Sequence, residues 1–464
     1  MMQFLLRNRN WILFWALVIL LVIATLVQDG MFMDGQQYAI VAKNMAVGEG
    51  SFWHPFLSPT WYKAGSGSFM EHPPLGFYLQ SIFFRLFGES MYTERAYSFF
   101  TMLVAVSLIV LIWKEFHSDE ENSAWLPLVI WITIPVCFWS YSNNLMENTM
   151  GMFTLMSILF QLRYFISRNI LWFLLGALSI VAAFLCKGIP GLFPIAFPFI
   201  WYWVYAKENL QKGIYLSVGL LLFFLLAMFS LILIPEATES LSFYFFDRLL
   251  FRIESEPTTT NHFTVIVDLI SQLGIAIGIC VLIVMVNGFK AVSFNRKQFK
   301  LFLFLGISAS LPLMATGVQR DFYLVPSLPF YAMAAGVFIK MPVINLLSGK
   351  RIRKWNLVVA MLFFFISVTI ASSKIGECSR DKELLKDVYA LTNCIPKKEV
   401  IAVEEELLQA WSLEFYLLRH HGVSFHGGKA NKRFLLQRIS SEQPEGTWKK
   451  TPCDLKNYTL FCYD

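Results

Sequence analysis

Long apolar stretches recur along most of the chain and are separated by short polar segments. Stretches of about 18 or more residues with few charges are long enough to cross a bilayer as helices. On this pattern we predict eleven spans, at about residues 11–28, 93–113, 124–142, 145–162, 170–186, 190–206, 214–234, 264–287, 301–317, 322–340 and 355–373. The predicted fold class is an α-helical polytopic membrane protein.

Positive charges alternate with the predicted spans. Arg7 and Arg9 precede the first span and place the N-terminus inside, as the positive-inside rule requires. The inside loops then hold Lys114, Arg163, Arg168, Lys207, Lys212, Lys290, Arg296, Lys297, Lys300, Lys350, Arg351, Arg353 and Lys354. No small-residue cleavage site follows the first apolar run, so we predict an uncleaved span. An odd number of spans puts residues 374–464 outside, and one missed span would reverse that prediction.

Three segments are predicted to lie outside the membrane. Residues 29–92 are rich in Gly, Pro and aromatic residues, and a loop of this length commonly serves a function. Within it, "PPLGFYLQSIFFRLFG" has apolar residues at helical spacing and predicts an interfacial helix. Residues 235–263 form the second outer segment.

The third outer segment is the tail, which has ordinary polarity. "KELLKDVYALTN" predicts a helix, whereas "EVIAVEEE" and "NYTLFCYD" predict strands. We therefore expect two domains: a membrane domain, residues 1–373, that includes the outer loops, and a small external α/β domain, residues 374–464.

Composition agrees with this organisation. Of the 464 residues, 56% are hydrophobic, 16% are aromatic and only 15% are charged, which is rare in a soluble domain. The net charge of +6 does not indicate nucleic-acid binding, because the basic residues collect in short loops between apolar runs.

Cysteines divide between the two regions. Three lie in predicted spans, and Cys378, Cys394, Cys453 and Cys462 lie in the tail. Four cysteines in an external domain suggest two disulfides and an oxidising compartment. Proximity favours Cys378–Cys394 and Cys453–Cys462, although the sequence does not determine the pairing and four reduced thiols remain an alternative.

Ionisable and polar residues cluster at the outer ends of the spans. Charges at membrane depth are costly and usually serve a site or a pathway. If the topology is right, one external cavity can be lined by Asp34, Glu71, His72, Glu147, Lys187, Arg248, Arg252, His262, Gln319, Arg320 and Asp321.

Each of these residues also has a simpler interpretation. Asp34 can be a loop residue or a helix cap, Glu71 a solvated turn residue and His72 a structural residue beside Pro73. Glu147 and Lys187 can reach water by snorkelling from the ends of their spans. His262 can be an ordinary loop histidine, since such residues are usually not ligands. Arg248 and Arg252 are four residues apart and can simply contact lipid phosphate.

Several motifs together resemble one family. "MDGQQYAIVAKNM", "FWHPF", "FMEHPPLGFYLQSIFFRLFG" and "ERAYS" are similar, in this order, to the first external loop of the ArnT-like and protein O-mannosyltransferase (family 39) glycosyltransferases. "CKGIPGLFP" and "DFYLVPSLPFYAMAAG" resemble later segments of that family. The resemblance covers most of residues 11–340 and extends to the tail in position only.

The resemblance implies a GT-C fold and transfer of a sugar from a polyprenyl-phosphate donor to an acceptor outside the membrane. Asp34 matches the catalytic acidic residue, and Glu71 with His262 matches a pair that can hold a divalent ion. Lys187 matches a basic residue near the lipid phosphate. With these we group as binding residues Tyr38, Glu147, Arg248, Arg252, Arg320 and Tyr323.

Two departures from the family pattern affect the predicted site. Gly35 stands where the family often has a second acidic residue, and His72 replaces the lysine before Pro-Pro. A neutral histidine binds phosphate less well than a permanent cation does. His72 can instead donate a hydrogen bond, carry a proton or bind metal, so both the donor contact and the sugar stay open.

The residue types suit transfer from a sugar phosphate. A carboxylate, here Asp34, can accept the proton of the acceptor, and Lys187, Arg320, His72, Arg248 or Arg252 can stabilise the leaving phosphate. A carboxylate with an imidazole suits Zn, Mn or Mg without identifying the ion. Attack opposite the phosphate predicts inversion of the anomeric centre.

Two other functions are open to a chain with this pattern. A lipid or glycan transporter predicts charges at the bilayer midplane and repeated halves, neither of which is evident in the sequence. A non-catalytic scaffold gives no reason for acidic, His and Lys residues on one side. We expect a monomer in the inner membrane of a bacterium, with its site facing the periplasm and a glycolipid, glycan or protein as acceptor.

Overall fold

The computed structural model describes residues 2–61, 67–117, 123–251, 258–259, 261–288, 292–441, 443–444 and 446–463. Within them, nine helices are long and apolar enough to cross a membrane: Met2–Leu26, Thr93–Lys114, Met146–Ser167, Ile170–Lys187, Lys207–Ile232, Thr264–Asn287, Arg296–Ala315, Asp321–Leu346 and Lys350–Ser373. Two further predicted spans are also helical but irregular. The α-helical membrane fold is therefore confirmed.

The irregular spans are the third and the sixth. The third consists of Trp125–Ile132 and Pro135–Ser142, which meet at 78°. Ile134 is extended because it precedes proline, and this ends the first helix. The sixth, Ile189–Tyr205, is shorter than the others and begins as the 3₁₀-helix Ile189–Ala196 before the α-helix Phe197–Tyr205.

The remaining helices lie between or after the spans. They are Met33–Ala46, Leu75–Phe87, Pro235–Ser242, the π-helix Phe243–Leu250, Lys382–Cys394, the 3₁₀-helix Glu405–Gln409 and Trp411–His421. The helix predicted after Pro73-Pro74 is therefore present, and its position at the membrane surface stays a prediction.

Contacts divide the chain into two compact units. The first unit comprises residues 1–26, 71–76 and 98–375, and the second comprises residues 27–70, 77–97 and 376–464.

Within the first unit, helices Met146–Ser167 and Ile170–Lys187 form a tightly packed hairpin. The Asn169 side chain caps the second helix by accepting the Leu171 N–H at 2.9 Å. Ser157 donates to the Gly176 carbonyl at 2.9 Å, a close approach that a glycine permits. The hairpin brings the first turn of one helix beside the last turn of the other.

The second unit contains a five-stranded mixed sheet and three helices of the tail. Its strands are β1 (Val400–Val403), β2 (Ser424–His426), β3 (Phe434–Arg438), β4 (Trp448–Lys450) and β5 (Tyr458–Tyr463). The order is β2-β1-β3-β5-β4, with β1 parallel to β2 and β3, and β5 antiparallel to β3 and β4. The predicted small α/β fold and its elements are confirmed.

Inside this unit, buried ion pairs connect the start of helix Thr93–Lys114 with Asp29 of the first outer loop and with Arg419 of the tail. Arg419 lies 2.7 Å from Glu94, and Arg95 lies 3.7 Å from Glu94 and 3.8 Å from Asp29. Tyr389 also donates a short hydrogen bond to Asp29. All four charged side chains are nearly inaccessible, so each depends on the others to offset desolvation.

The disulfide pairing favoured by proximity is wrong. Cys394 pairs with Cys453, with Cα atoms 6.2 Å apart, and Cys378 and Cys462 are thiols. Cys394 ends helix Lys382–Cys394, and the loop before β5 carries Cys453 to that helix end. Cys378 instead lies in a short backbone bridge with Asp29, and Cys462 lies in β5.

Candidate functional site

A cavity of about 790 Å³ in the first unit gathers six of the predicted site residues. Most of its wall is aliphatic or aromatic. The predicted residues in the wall are Glu71, His72, Glu147, Lys187, Arg248 and Tyr323.

Lys187 and Glu147 form a buried ion pair. The Lys187 Nζ lies 2.6 Å from a Glu147 carboxylate oxygen, and their side chains are 7% and 1% exposed. Lys187 also lies near the rings of Phe322 and Tyr323, with Nζ 5.7 and 5.5 Å from the ring centroids. These contacts fix the ammonium group at one point of the cavity wall, although the snorkelling interpretation had placed both side chains in water.

The motif "CKGIPG" explains the position of Lys187. Helix Ile170–Lys187 ends because Gly188 adopts a φ of +88°, a conformation that favours glycine. Pro190 then stands in the first turn of the next helix, where a missing N–H costs little. Lys187 is thereby held at a helix end, where a cation is favoured by the helix dipole.

Glu71 and Arg248 form a second ion pair in the cavity. The carboxylate of Glu71 lies 2.6 Å from Arg248 Nη2, with side-chain exposures of 5% and 19%. Glu71 precedes the two prolines that start helix Leu75–Phe87. At Gly76 a side chain would collide with Met146, so glycine allows this segment to pack beside the residue that precedes Glu147.

Arg248 is presented by the π-helix Phe243–Leu250. Such helices are rare and are found frequently at functional sites. The same element carries Tyr244, which lines the cavity. The Ile189 N–H donates to the Tyr244 hydroxyl at 3.4 Å, so the tyrosine lies over the turn that follows Lys187.

Other predicted residues lie elsewhere. Asp34 and Tyr38 belong to the second unit, where Asp34 is in the first turn of helix Met33–Ala46 and Tyr38 is buried. Arg320 and His262 are exposed, and neither is among the described residues that line the cavity. Arg252 lies outside the described residues.

The predicted metal pair has protein partners. Glu71 contacts Arg248, and the His262 Nδ1 lies 2.7 Å from the Met314 carbonyl oxygen. Within the part of the chain that the structure describes, no group of three or more His, Cys, Asp or Glu side chains can hold a metal ion. A divalent cation at Glu71 and His262 therefore stays a prediction.

Two features of the site were missed at the level of sequence. Tyr244 was not among the candidates, although the aromatic and basic residues of "FYFFDRLLF" were a usable signal. The pairing of Glu147 with Lys187 was also missed. Consecutive antiparallel spans place the start of one beside the end of the next, so opposite charges at those two positions predict contact.

The arrangement suits an amphiphilic anion. Two cations face a mostly apolar cavity, and each is held by a carboxylate. A guanidinium has five N–H donors and an ammonium has three, so each can bridge its carboxylate and a further acceptor such as phosphate. The apolar wall suits a hydrocarbon chain.

A family model described as dolichyl-phosphate-mannose-protein mannosyltransferase matches residues 71–233. This segment contains four of the six predicted site residues that line the cavity, Glu71, His72, Glu147 and Lys187. A search of curated proteins finds no match in sequence.

Solved structures share the fold at low identity. ArnT from Cupriavidus metallidurans bound to undecaprenyl phosphate has a TM-score of 0.69 at 14% identity, with 96% of each chain covered. The same protein in the apo state gives a TM-score of 0.65 at 12% identity, with 97% of each chain covered. The apo oligosaccharyltransferase of Archaeoglobus fulgidus gives 0.52 at 11% identity, over 92% of this chain and 70% of that one.

The comparisons confirm the resemblance found in the sequence. The chain has the ArnT-like GT-C fold of a multi-pass membrane protein. The family match and the fold together indicate a membrane glycosyltransferase.

Proposed function

We propose that the protein transfers a sugar from a polyprenyl-phosphate donor to an acceptor on the outer side of the membrane. The observation that carries this proposal is the apolar cavity with its two carboxylate-held cations, Lys187 and Arg248. Its occurrence in an ArnT-like fold supports the choice of a lipid-linked donor, because one similar structure is of ArnT with undecaprenyl phosphate.

Lys187 and Arg248 have the role of binding the donor phosphate. In the transfer step the bond between the sugar and the phosphate oxygen breaks, and negative charge grows on the phosphate. Fixed cations in a low-dielectric cavity stabilise such charge without having to reorganise. The ion pairs with Glu147 and Glu71 hold the two cations in place before the donor arrives.

Asp34 has the role of general base. A carboxylate that accepts the proton of the acceptor hydroxyl would generate the attacking oxygen as the phosphate leaves. Attack from the face opposite the phosphate gives a product of inverted configuration. Anomer analysis of the product tests this step, and retention of configuration would exclude direct displacement.

The site and the tail are proposed to face the periplasm of a bacterial inner membrane. The positive charges of the alternate loops and the disulfide Cys394–Cys453 support this orientation. A single cysteine introduced in the tail of a Cys378→Ser/Cys462→Ser variant, which lacks the two native tail thiols, tests it by labelling with a membrane-impermeant reagent in intact spheroplasts.

Donor binding is the direct test of the cavity. Purified protein is titrated with undecaprenyl phosphate, and Arg248→Gln is expected to weaken binding by about tenfold or more, as loss of a charge-assisted hydrogen bond does. Arg296→Gln, which removes an exposed arginine that neither lines the cavity nor belongs to the predicted site, is the matched control. Equal affinity of the two variants would remove Arg248 from the phosphate site.

His72 provides a second test at the same site. Its side chain lines the cavity where the resembling family has lysine. We expect His72→Lys to bind undecaprenyl phosphate several-fold more tightly, because it adds a permanent cation. His72→Gln controls for shape, and an equal change in both variants would show that charge at this position is irrelevant.

A further inference from the structure

A second cavity, of about 620 Å³, lies in the first unit at the beginning of helices Met2–Leu26 and Lys350–Ser373 and beside Trp125. Its wall carries a concentration of positive charge: Arg7, Arg9, Lys350, Arg353 and Lys354. None of the described residues that line it is Asp or Glu. The catalytic proposal makes no use of this cavity.

Convergent positive charge creates a strong field in a concave site. Like charges repel, and an anion among them relieves that repulsion. Helix Lys350–Ser373 begins at the cavity, so its first N–H groups add partial positive charge. The cavity is therefore electrostatically suited to a phosphate or another compact anion.

The location distinguishes a lipid from a soluble anion. The cavity lies at helix ends, and Trp125 forms part of its wall while the neighbouring Trp355 is 61% exposed. Tryptophan is enriched at the depth of lipid headgroups. Basic pockets between membrane helices bind anionic headgroups.

We propose that this cavity is a binding site for the phosphate headgroup of an anionic membrane lipid. The site is separate from the one that holds Lys187 and Arg248, and it lies at the end of the helices that the charge pattern assigns to the inside. The exposed position of Arg7, Arg353 and Lys354 allows a headgroup to enter from the surrounding membrane.

The test compares two variants that each lose three positive charges. Arg7→Gln/Arg9→Gln/Arg353→Gln alters the cavity, whereas Lys207→Gln/Lys212→Gln/Lys300→Gln alters exposed residues near the beginning of two other helices, outside the cavity. The full chain is reconstituted in nanodiscs of phosphatidylcholine with phosphatidylglycerol, and retained phosphatidylglycerol is counted by native mass spectrometry. We expect the cavity variant alone to lose retention by about tenfold or more, since each basic residue contributes to attraction.

Three outcomes would overturn the proposal. Equal retention by the two triple variants would show that overall surface charge, not this cavity, attracts the lipid. Saturation by inorganic phosphate in pure phosphatidylcholine nanodiscs would assign the cavity to a soluble anion. The cavity variant can also change in thermal stability by the same amount in bilayers with and without phosphatidylglycerol and lose no retained lipid. That result would indicate that carboxylates of the protein itself occupy the cavity. Asp119, Glu120 and Glu121 would be the candidates, because they precede Ser123 of its wall in sequence.

Single substitutions distinguish a loss of lipid binding from misfolding of the triple variant. Arg353 and Lys354 are exposed within the first two turns of their helix, so we expect Arg353→Gln and Lys354→Gln to leave packing intact. Each is expected to lower phosphatidylglycerol retention several-fold with an unchanged melting temperature in phosphatidylcholine. Unchanged retention in both would contradict the site.

Discussion

At the residue scale, the ion pair of Lys187 and Glu147 combines stability with donor binding. Glu147 is completely buried, so its carboxylate depends on the ammonium group 2.6 Å away. Removing one partner of such a pair leaves an uncompensated charge in a low-dielectric environment. Stability and function are therefore separable here by substituting one or both partners.

We predict that Lys187→Met destabilises the protein by about 3 kcal/mol or more, because it leaves the Glu147 carboxylate buried and unpaired. Lys187→Met/Glu147→Gln should recover most of this loss and still bind undecaprenyl phosphate poorly. Thermal unfolding in detergent measures the first effect and lipid titration the second. Full binding by the double variant would make the pair purely structural.

Glu414 is a pH-sensitive residue of the external domain. Burial raises the pKa of its carboxyl to about 7, opposed by a hydrogen bond from the Phe425 N–H at 3.4 Å. Since the folded pKa lies above the ordinary value of 4.5, the folded state binds this proton more tightly than the unfolded state does. The stabilisation is complete below about pH 4.5 and is lost as the pH rises through about 7.

We predict that helix Trp411–His421 opens more readily at pH 8 than at pH 5.5, by up to about 2 kcal/mol. Glu414→Gln, which is neutral throughout, should flatten this dependence. Hydrogen exchange of peptides spanning residues 411–426, corrected for intrinsic rates, measures the opening. The same pH slope in both proteins would assign the effect to another group.

At the element scale, the turn after Lys187 and the π-helix Phe243–Leu250 depend on each other. A side chain at Gly188 would collide with the Tyr244 hydroxyl, and the φ of +88° also disfavours any other residue. These two elements supply Lys187 and Arg248, so their contact sets the spacing of the two cations.

We predict that Gly188→Ala lowers stability by about 2 kcal/mol or more, from backbone strain and overpacking together. The cost should be smaller in a Tyr244→Ala background, where only the strain remains. Gly274→Ala is the control, since nothing lies within 4 Å of its added methyl group and alanine favours a helix. Equal costs of Gly188→Ala in the two backgrounds, measured by thermal unfolding, would rule out the contact with Tyr244.

At the scale of the whole molecule, the apolar pattern predicts the spans because bilayer length and helix geometry are linked. The bend at Pro135 is less predictable, since the apolar run continues through it. Single site residues can be recognised in the sequence, because a charge at the end of a membrane span is costly and therefore usually functional. The pair of Glu147 and Lys187 follows from consecutive spans, whereas the pair of Glu71 and Arg248 depends on which distant segments are neighbours, and the pair of Cys394 and Cys453 depends on the sheet order. Neither of the last two pairs is encoded in local sequence.

The proposed enzyme must turn over a polyprenyl-phosphate-linked sugar. Purified protein is incubated with radiolabelled polyprenyl-phosphate hexoses and pentoses and with membranes that provide acceptor, and released polyprenyl phosphate is measured. We predict release with at least one donor, its loss in Asp34→Asn and full activity in Asp454→Asn, which alters an exposed carboxylate of the tail. No release above the protein-free level from any donor, despite binding of undecaprenyl phosphate, would contradict the account and indicate a lipid transporter.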